Sequence, residues 1–168
     1  MIALVTGGSG CGKSTWAEKF LRRFSGPKFY IATMRVVDDE CRARVERHQI
    51  QRAGMGFMTL ERPTDAGNAA VSPGATALLE CLPTLMANEM FDGGEPDRVL
   101  PGIERLCERC ENLVVVTNDV FSDGLTYDPE TARYIQKLAE VNRRVAEKAD
   151  LVVEVVFSIP VALKGAIS

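Results

Sequence analysis

The sequence predicts an α/β fold, a largely parallel sheet with helices on both faces. Two observations carry this reading. Short apolar, β-branched runs alternate with longer amphipathic segments, and most of those runs are too uniformly apolar to have a wet face. Directly after the first run, Gly7-Gly8-Ser9-Gly10-Cys11-Gly12-Lys13-Ser14 fits G-x-x-x-x-G-K-[ST]. With 168 residues, 46% hydrophobic and 26% charged, the chain suits one domain, 1–168, and wholesale disorder is excluded.

The elements follow in order. Strands are predicted at Ile2 to Thr6, Phe29 to Thr33, Met58 to Glu61, Ala75 to Cys81, Leu113 to Thr117 and Leu151 to Val156. Helical spacing marks Lys13 to Phe24, Asp38 to Arg52, Leu82 to Phe91, Gly102 to Asn112 and Pro129 to Lys148. In the last of these, Ala132, Ile135, Leu138, Ala139, Val141 and Val145 form the apolar stripe, and Arg133, Lys137, Arg143, Arg144 and Lys148 are left to solvent. Glycine and proline punctuate the connections at 25–27, 72–74, 92–96 and 122–124. The stretch Thr64 to Pro73 is undecided between helix and loop, and Leu151 to Leu163, broken by Glu154, Ser158 and Pro160, is too short to cross a bilayer.

The glycine-rich octapeptide has a physical reading. Glycines let the backbone wrap a phosphate with its N–H groups, and a helix opening at Lys13 adds the favourable end of its dipole. Lys13 supplies a point charge to the β and γ phosphates, and the Ser14 hydroxyl can ligate Mg²⁺. This places the fold in the P-loop NTPase-like (RecA-like) class. A second metal contact in such folds comes from an acid at the end of a buried strand, and Glu80 stands there. Cys11 is read as a small side chain directed away from the phosphate.

The net charge of −3 excludes a global field for nucleic acid or anionic lipid, so a bound anion must be held locally. Met1 to Gly8 lacks the basic region and long apolar core of a signal peptide, which makes the cytoplasm the expected compartment, without membrane insertion. Five cysteines point to reduced thiols, and Cys107-Glu108-Arg109-Cys110 reads as two ordinary helix thiols because no second pair completes a zinc set.

The single histidine, His48, lies on a highly charged helix after the second predicted strand. Arg44 and Arg52 stand four residues to either side, on the same helical face. Guanidinium groups favour a neutral imidazole, which can attack phosphorus as a nucleophile. The same spacing also describes an ordinary solvated surface.

Several motifs now line up: Thr6 to Ser14, Tyr30-Ile31-Ala32-Thr33, Asp38-Asp39-Glu40, Arg44-Val45-Glu46-Arg47-His48, Leu78-Leu79-Glu80-Cys81-Leu82, Val116-Thr117-Asn118-Asp119-Val120, Asn142 with Ala149-Asp150, and Ile159-Pro160 with Leu163-Lys164. In this order, over nearly the whole chain, they resemble the CobU family, the bifunctional adenosylcobinamide kinases and adenosylcobinamide-phosphate guanylyltransferases of cobalamin biosynthesis. The resemblance implies two reactions. The terminal phosphate of ATP or GTP goes to the hydroxyl of the aminopropanol arm of adenosylcobinamide. GTP then guanylylates a histidine, which falls on His48, and GMP passes to adenosylcobinamide phosphate to give adenosylcobinamide-GDP. It implies nucleotide contacts at Thr33, Met34, Arg35, Gln49, Ile50, Gln51, Arg52, Glu61 and Glu80, and a homotrimer. Asn118 to Thr126 departs from the asparagine-glutamate-valine-glycine segment of many relatives, and Ala139 replaces a glycine common three positions before the helix asparagine.

Two other readings stay open. A plain small-molecule kinase would use the phosphate loop with His48 a bystander, although no lid segment rich in arginine is evident. A nucleotide-binding regulatory module would signal by conformation, although Asn118-Asp119 does not form the asparagine-lysine-x-aspartate signature of switch GTPases.

Overall fold

The computed structural model describes residues 1–36, 38–119 and 126–167, and in the second helix the side chains other than those of Glu40, Cys41, Arg44, His48 and Gln51. Much of the Asn118 to Thr126 segment therefore lies outside the described residues. The element order is β1 (Ile2–Thr6), α1 (Lys13–Leu21), β2 (Lys28–Ala32), α2 (Asp39–Arg52), β3 (Phe57–Glu61), β4 (Thr76–Glu80), α3 (Leu82–Phe91), α4 (Val99–Arg109), β5 (Asn112–Val116), α5 (Pro129–Lys148), β6 (Leu151–Val156) and β7 (Ile159–Lys164).

The seven strands form one sheet in the order β3-β2-β4-β5-β1-β6-β7. Six run parallel, and β7 pairs antiparallel with β6. A parallel pair requires a crossover, and the helices that supply it cover both faces. Leu4, Ile31, Leu79, Val115 and Val152 meet α3, α4 and α5 on one side. Val5, Tyr30, Leu78, Val114 and Val153 meet Ala17, Phe20 and Leu21 of α1 on the other. Central strands β4 and β5 are buried almost throughout, which accounts for their lack of alternation. At the β3 edge, by contrast, Met58 is exposed.

Helix starts follow local chemistry. Asp128 caps α5, its Oδ1 accepting from the Glu130 and Thr131 amides at 3.0 Å, with Pro129 in the first helical position. Helix α4 begins at Val99, three residues earlier than its spacing suggested, because Pro101 sits in the first turn, where its missing N–H has no helical partner to lose. Its end moves as well, since Asn112 belongs to β5 rather than to the helix. Helix α1 stops at Leu21, short of Phe24.

Strand β7 was not foreseen. Phe157 (φ 48°) and Ser158 (φ 66°) form a two-residue turn that reverses the chain onto β6, with Val156 opposite Ile159. Positive φ at both turn positions matches the twist of the flanking strands, and Pro160 is tolerated because β7 is the sheet edge. The undecided stretch contains a 3₁₀ turn, Ala66–Asn68, which packs on α4 with Ala66 and Gly67 buried. Glu89 of α3 holds its entry by accepting from the Asp65 amide at 2.6 Å and fixes the next loop by accepting from the Glu95 amide at 2.8 Å.

The contact between the 3₁₀ turn and α4 depends on two glycines, because a Cβ on Gly67 would run into the Gly102 backbone. Gly67→Ala is expected to lower unfolding free energy by about 1–3 kcal/mol, as overpacking does. Urea denaturation checks this, and an unchanged midpoint would show that the two backbones can separate at no cost.

Candidate active site

In a parallel α/β sheet the crevice lies outside the carboxyl ends of the strands. Here those ends open into a cleft of about 650 Å³. Ser9, Gly10 and Gly12 to Ser14 of the phosphate loop, Thr33 to Val36 after β2, Glu61 of β3, Glu80 of β4 and Val116 to Asn118 at the end of β5 all line it, and Val45, Gln49 and Arg52 reach it from α2.

The loop takes its shape from contacts behind it. Gly12 has φ 92°, and a Cβ there would stand 2.6 Å from Ser158 Oγ. Gly7 has φ 146°, and a Cβ there would stand 2.5 Å from Val155 O and 2.7 Å from Cys11 Sγ. Ser158 donates its amide to Cys11 O at 2.8 Å. The loop is thus clamped against the β6–β7 turn, while Ser9, Gly10, Gly12, Lys13 and Ser14 line the cleft. Cys11 is half-buried against the α1-side core and is not part of the lining. Lys13 Nζ donates to Gly8 O at 2.9 Å.

The strand-end residues have distinct situations. Thr33 is fully buried. Its Oγ1 donates toward Glu80 O at 2.9 Å and Cys81 O at 3.0 Å, and accepts from the Cys81 amide at 2.7 Å. Its side chain therefore ties β2 to β4, and Met34 and Arg35 provide more of the wall. Asn88 of α3 donates to Thr33 O at 2.8 Å and Pro63 O at 2.7 Å, which holds the segments after β2 and β3 together. Arg35 lies 3.7 Å from Asp92.

Beneath the cleft lies Glu18, a polar residue that sequence reasoning missed, joined to Arg52, Tyr30 and Glu80 of the lining. Arg52 of α2 is buried with its Cζ 3.4 Å from the centroid of Tyr30 and its Nη1 3.5 Å from Glu18 Oε1. Tyr30 donates its hydroxyl to Glu80 Oε2 at 3.2 Å. Glu18 is 1% exposed, and its Oε2 has no hydrogen-bond partner. Burial, reinforced by the Glu80 carboxylate and opposed by Arg52, pushes the Glu18 carboxyl up to about 7. The available signal was an acid on the apolar stripe of α1 between Ala17 and Leu21, and a tyrosine among the apolar residues 29–32 of β2.

Not every expected residue reaches the cleft. Ile50 is 74% exposed and lies outside its lining. Gly7 and Cys11 form the rear of the loop, and Gly8 is exposed outside the lining. His48 lies in the penultimate turn of α2, and its side chain and that of Gln51 are outside the described set. Ser14 and Glu80 offer hard oxygen donors to one cleft, the chemistry that suits Mg²⁺ together with substrate phosphates. Cys107 and Cys110 lie at and just after the end of α4 as unpaired thiols, and burial pushes Cys110 up to about 11.

Glu18 gives a pH prediction. Its carboxyl rises from 4.5 to about 7 on folding, so the stability contribution of its neutral form is complete below about pH 4.5 and lost as pH rises through about 7. Relative to Glu18→Gln, the parent is expected to lose up to about 3 kcal/mol across that window. Urea unfolding of both proteins across the window measures it, and parallel pH profiles would contradict the assignment.

The chain matches the family described as cobinamide kinase / cobinamide phosphate guanyltransferase over residues 3–163. It is 34% identical to the bifunctional adenosylcobalamin biosynthesis protein CobU of Escherichia coli (strain K12), covering 98% of this chain and all of that protein. It is 36% identical to the protein of the same name from Salmonella typhimurium (strain LT2), with the same coverage of both. Identity to bifunctional adenosylcobalamin biosynthesis protein CobP of Pseudomonas aeruginosa is 27%, over 98% of each. With the phosphate loop at the head of its cleft and this agreement over nearly all its length, the chain belongs to the CobU family.

Proposed function

We propose that the protein is a bifunctional enzyme of cobalamin biosynthesis. It phosphorylates adenosylcobinamide with ATP or GTP, and it transfers GMP from GTP through a guanylyl-His48 intermediate to adenosylcobinamide phosphate, giving adenosylcobinamide-GDP. The observation that carries this reading is the convergence of the phosphate loop, the strand-end acids Glu61 and Glu80, and the α2 residues Gln49 and Arg52 on one cleft. Family membership supplies the substrates.

The residues divide the work by chemistry. Backbone amides of Gly7 to Gly12 and the N-terminus of α1 hold the nucleotide phosphates. Lys13 exchanges its bond to Gly8 O for the phosphates and stabilises the charge that develops on leaving pyrophosphate. In guanylylation a neutral His48 nitrogen attacks the α phosphorus, a P–N bond forms, and the Pα–O bond to pyrophosphate breaks. A phosphate oxygen of adenosylcobinamide phosphate then displaces His48 and takes the guanylyl group. Ser14 and Glu80 would hold Mg²⁺, which when bound offsets phosphate charge. Met34, Arg35, Gln49, Arg52 and Glu61 form the nucleotide side of the cleft, and Thr33 supports that wall from within.

Assembly as a homotrimer belongs to the same proposal. Phe157, Ile159, Val161 and Leu163 leave apolar side chains exposed along the β6–β7 edge, which supports self-association, while the number three is carried from the family resemblance. The cytoplasm is the compartment that suits the unpaired thiols of Cys11, Cys81, Cys107 and Cys110. No helix among the described residues is long and apolar enough to cross a membrane.

Incubation with Mg²⁺ and GTP labelled at the α or γ phosphate tests the chemistry. The denatured protein is expected to carry acid-labile, alkali-stable α label that disappears in His48→Asn. Nucleotide-bound parent protein without α label would overturn guanylylation and leave a plain kinase. Lys13→Ala is expected to lower both activities by about 10²–10³-fold, as removal of a charge-stabilising group does. Light scattering of the parent is expected to give three chains, and Val161→Glu to give monomers. A monomeric parent would remove the trimer from the proposal.

A further inference from the structure

We infer that Glu18, which lies outside the cleft lining, is a positioning residue for guanylyl transfer: through Arg52 it fixes the C-terminal turn of the helix that carries His48. The inference rests on the reading of His48 as the GMP acceptor. Helix α2 has little apolar surface with which to seat itself. Among its described side chains Arg52 is the buried one, and Val45 is half-buried. A helix so solvated takes its position from few contacts. Arg52 makes two of them, a stack on Tyr30 of β2 and an ion pair with Glu18 of α1. His48 precedes Arg52 by four residues, about one turn or 6 Å along the axis. A guanidinium held from two directions therefore sets where that turn stands relative to the phosphate loop, which opens α1 itself.

Stability alone gives no reason for an ion pair at this position. Glu18 lies on the buried stripe with Ala17 and Leu21, and apolar side chains at both 18 and 52 would pack without the cost of desolvating two charges, whereas loss of the acid alone leaves Arg52 buried without its partner. One carboxylate oxygen has no hydrogen-bond partner, so the group is not retained for a complete polar network. The remaining consequence of the acid is to hold the Arg52 guanidinium in place on the Tyr30 ring. Kinase turnover uses the phosphate loop and needs no nucleophile on α2. The effect of Glu18 should therefore divide the two activities.

The test compares the parent, Glu18→Gln and Glu18→Asp as full chains. The two readouts are the initial rate of α label entering the protein from GTP and the rate of γ-phosphate transfer to adenosylcobinamide. Glu18→Gln is expected to slow guanylylation on the order of tenfold to a hundredfold, the scale of a small misplacement of a reacting group. Its kinase turnover at saturating nucleotide is expected to stay within about twofold of the parent, because Arg52 bears on that reaction only through nucleotide binding. Glu18→Asp keeps the charge with a shorter reach and should lie between the two. Parental guanylylation in Glu18→Gln overturns the inference, and so does an equal fall in both activities, because a fold defect acts on both. A parent that takes no α label sinks the His48 reading first and this inference with it, whereas labelling at the parental rate in the variant sinks the inference alone.

Discussion

The clamp on the back of the phosphate loop is the contact on which the rest of this structure depends. Gly7 and Gly12 stand where a Cβ would meet Val155 O and Ser158 Oγ, and Ser158 donates its amide to Cys11 O. A loop that must present amides to an anion cannot satisfy itself with its own backbone, so its shape has to be imposed from outside. Strand β6 and the turn into β7 impose it. The antiparallel edge strand thereby has a structural role at the cleft, since it supplies the turn that seats the glycines.

From that clamp the parallel sheet distributes the other groups. Parallel strands bring their carboxyl ends to one side, so residues far apart in the chain, Thr33, Glu61, Glu80 and Thr117, arrive around one cleft. Polar side chains then tie adjacent ends together. Thr33 joins β2 to β4 through its hydroxyl, and Asn88 bridges the segments after β2 and β3 from the opposite layer. On the α1 face, Glu18, Arg52, Tyr30 and Glu80 link two helices and two strands in a chain of polar contacts. In a low-dielectric setting such contacts fix orientation as much as they stabilise, since each partner left alone would be a costly buried polar group.

Six strands, five helices and the phosphate loop were legible in the sequence, because periodicity and the glycine-lysine-serine signature depend on short spans of chain. The boundaries that moved did so for local reasons, such as Pro101 within the first turn of α4. Strand β7 was hidden because Ser158 and Pro160 read as interruptions of one apolar run. In the fold they are a turn residue with positive φ and an edge-strand proline, a distinction made only when β6 is beside them.

The same division holds for the cleft. The sequence by itself determined the class of fold, the glycine-rich loop that ends in Lys13 and Ser14, and the acid at the end of β4, each encoded within a few residues. Tertiary structure decided which face every other group presents. It placed Gln49, Arg52 and Glu61 in the cleft, turned Ile50 away from it, buried the Thr33 hydroxyl as a strand tie, and put Glu18 under Arg52. No local pattern can specify these, because Glu18 and Arg52 are 34 residues apart and meet only where two helices pack on one sheet face. Whether a buried carboxylate faces an arginine or an apolar wall is a property of that packing.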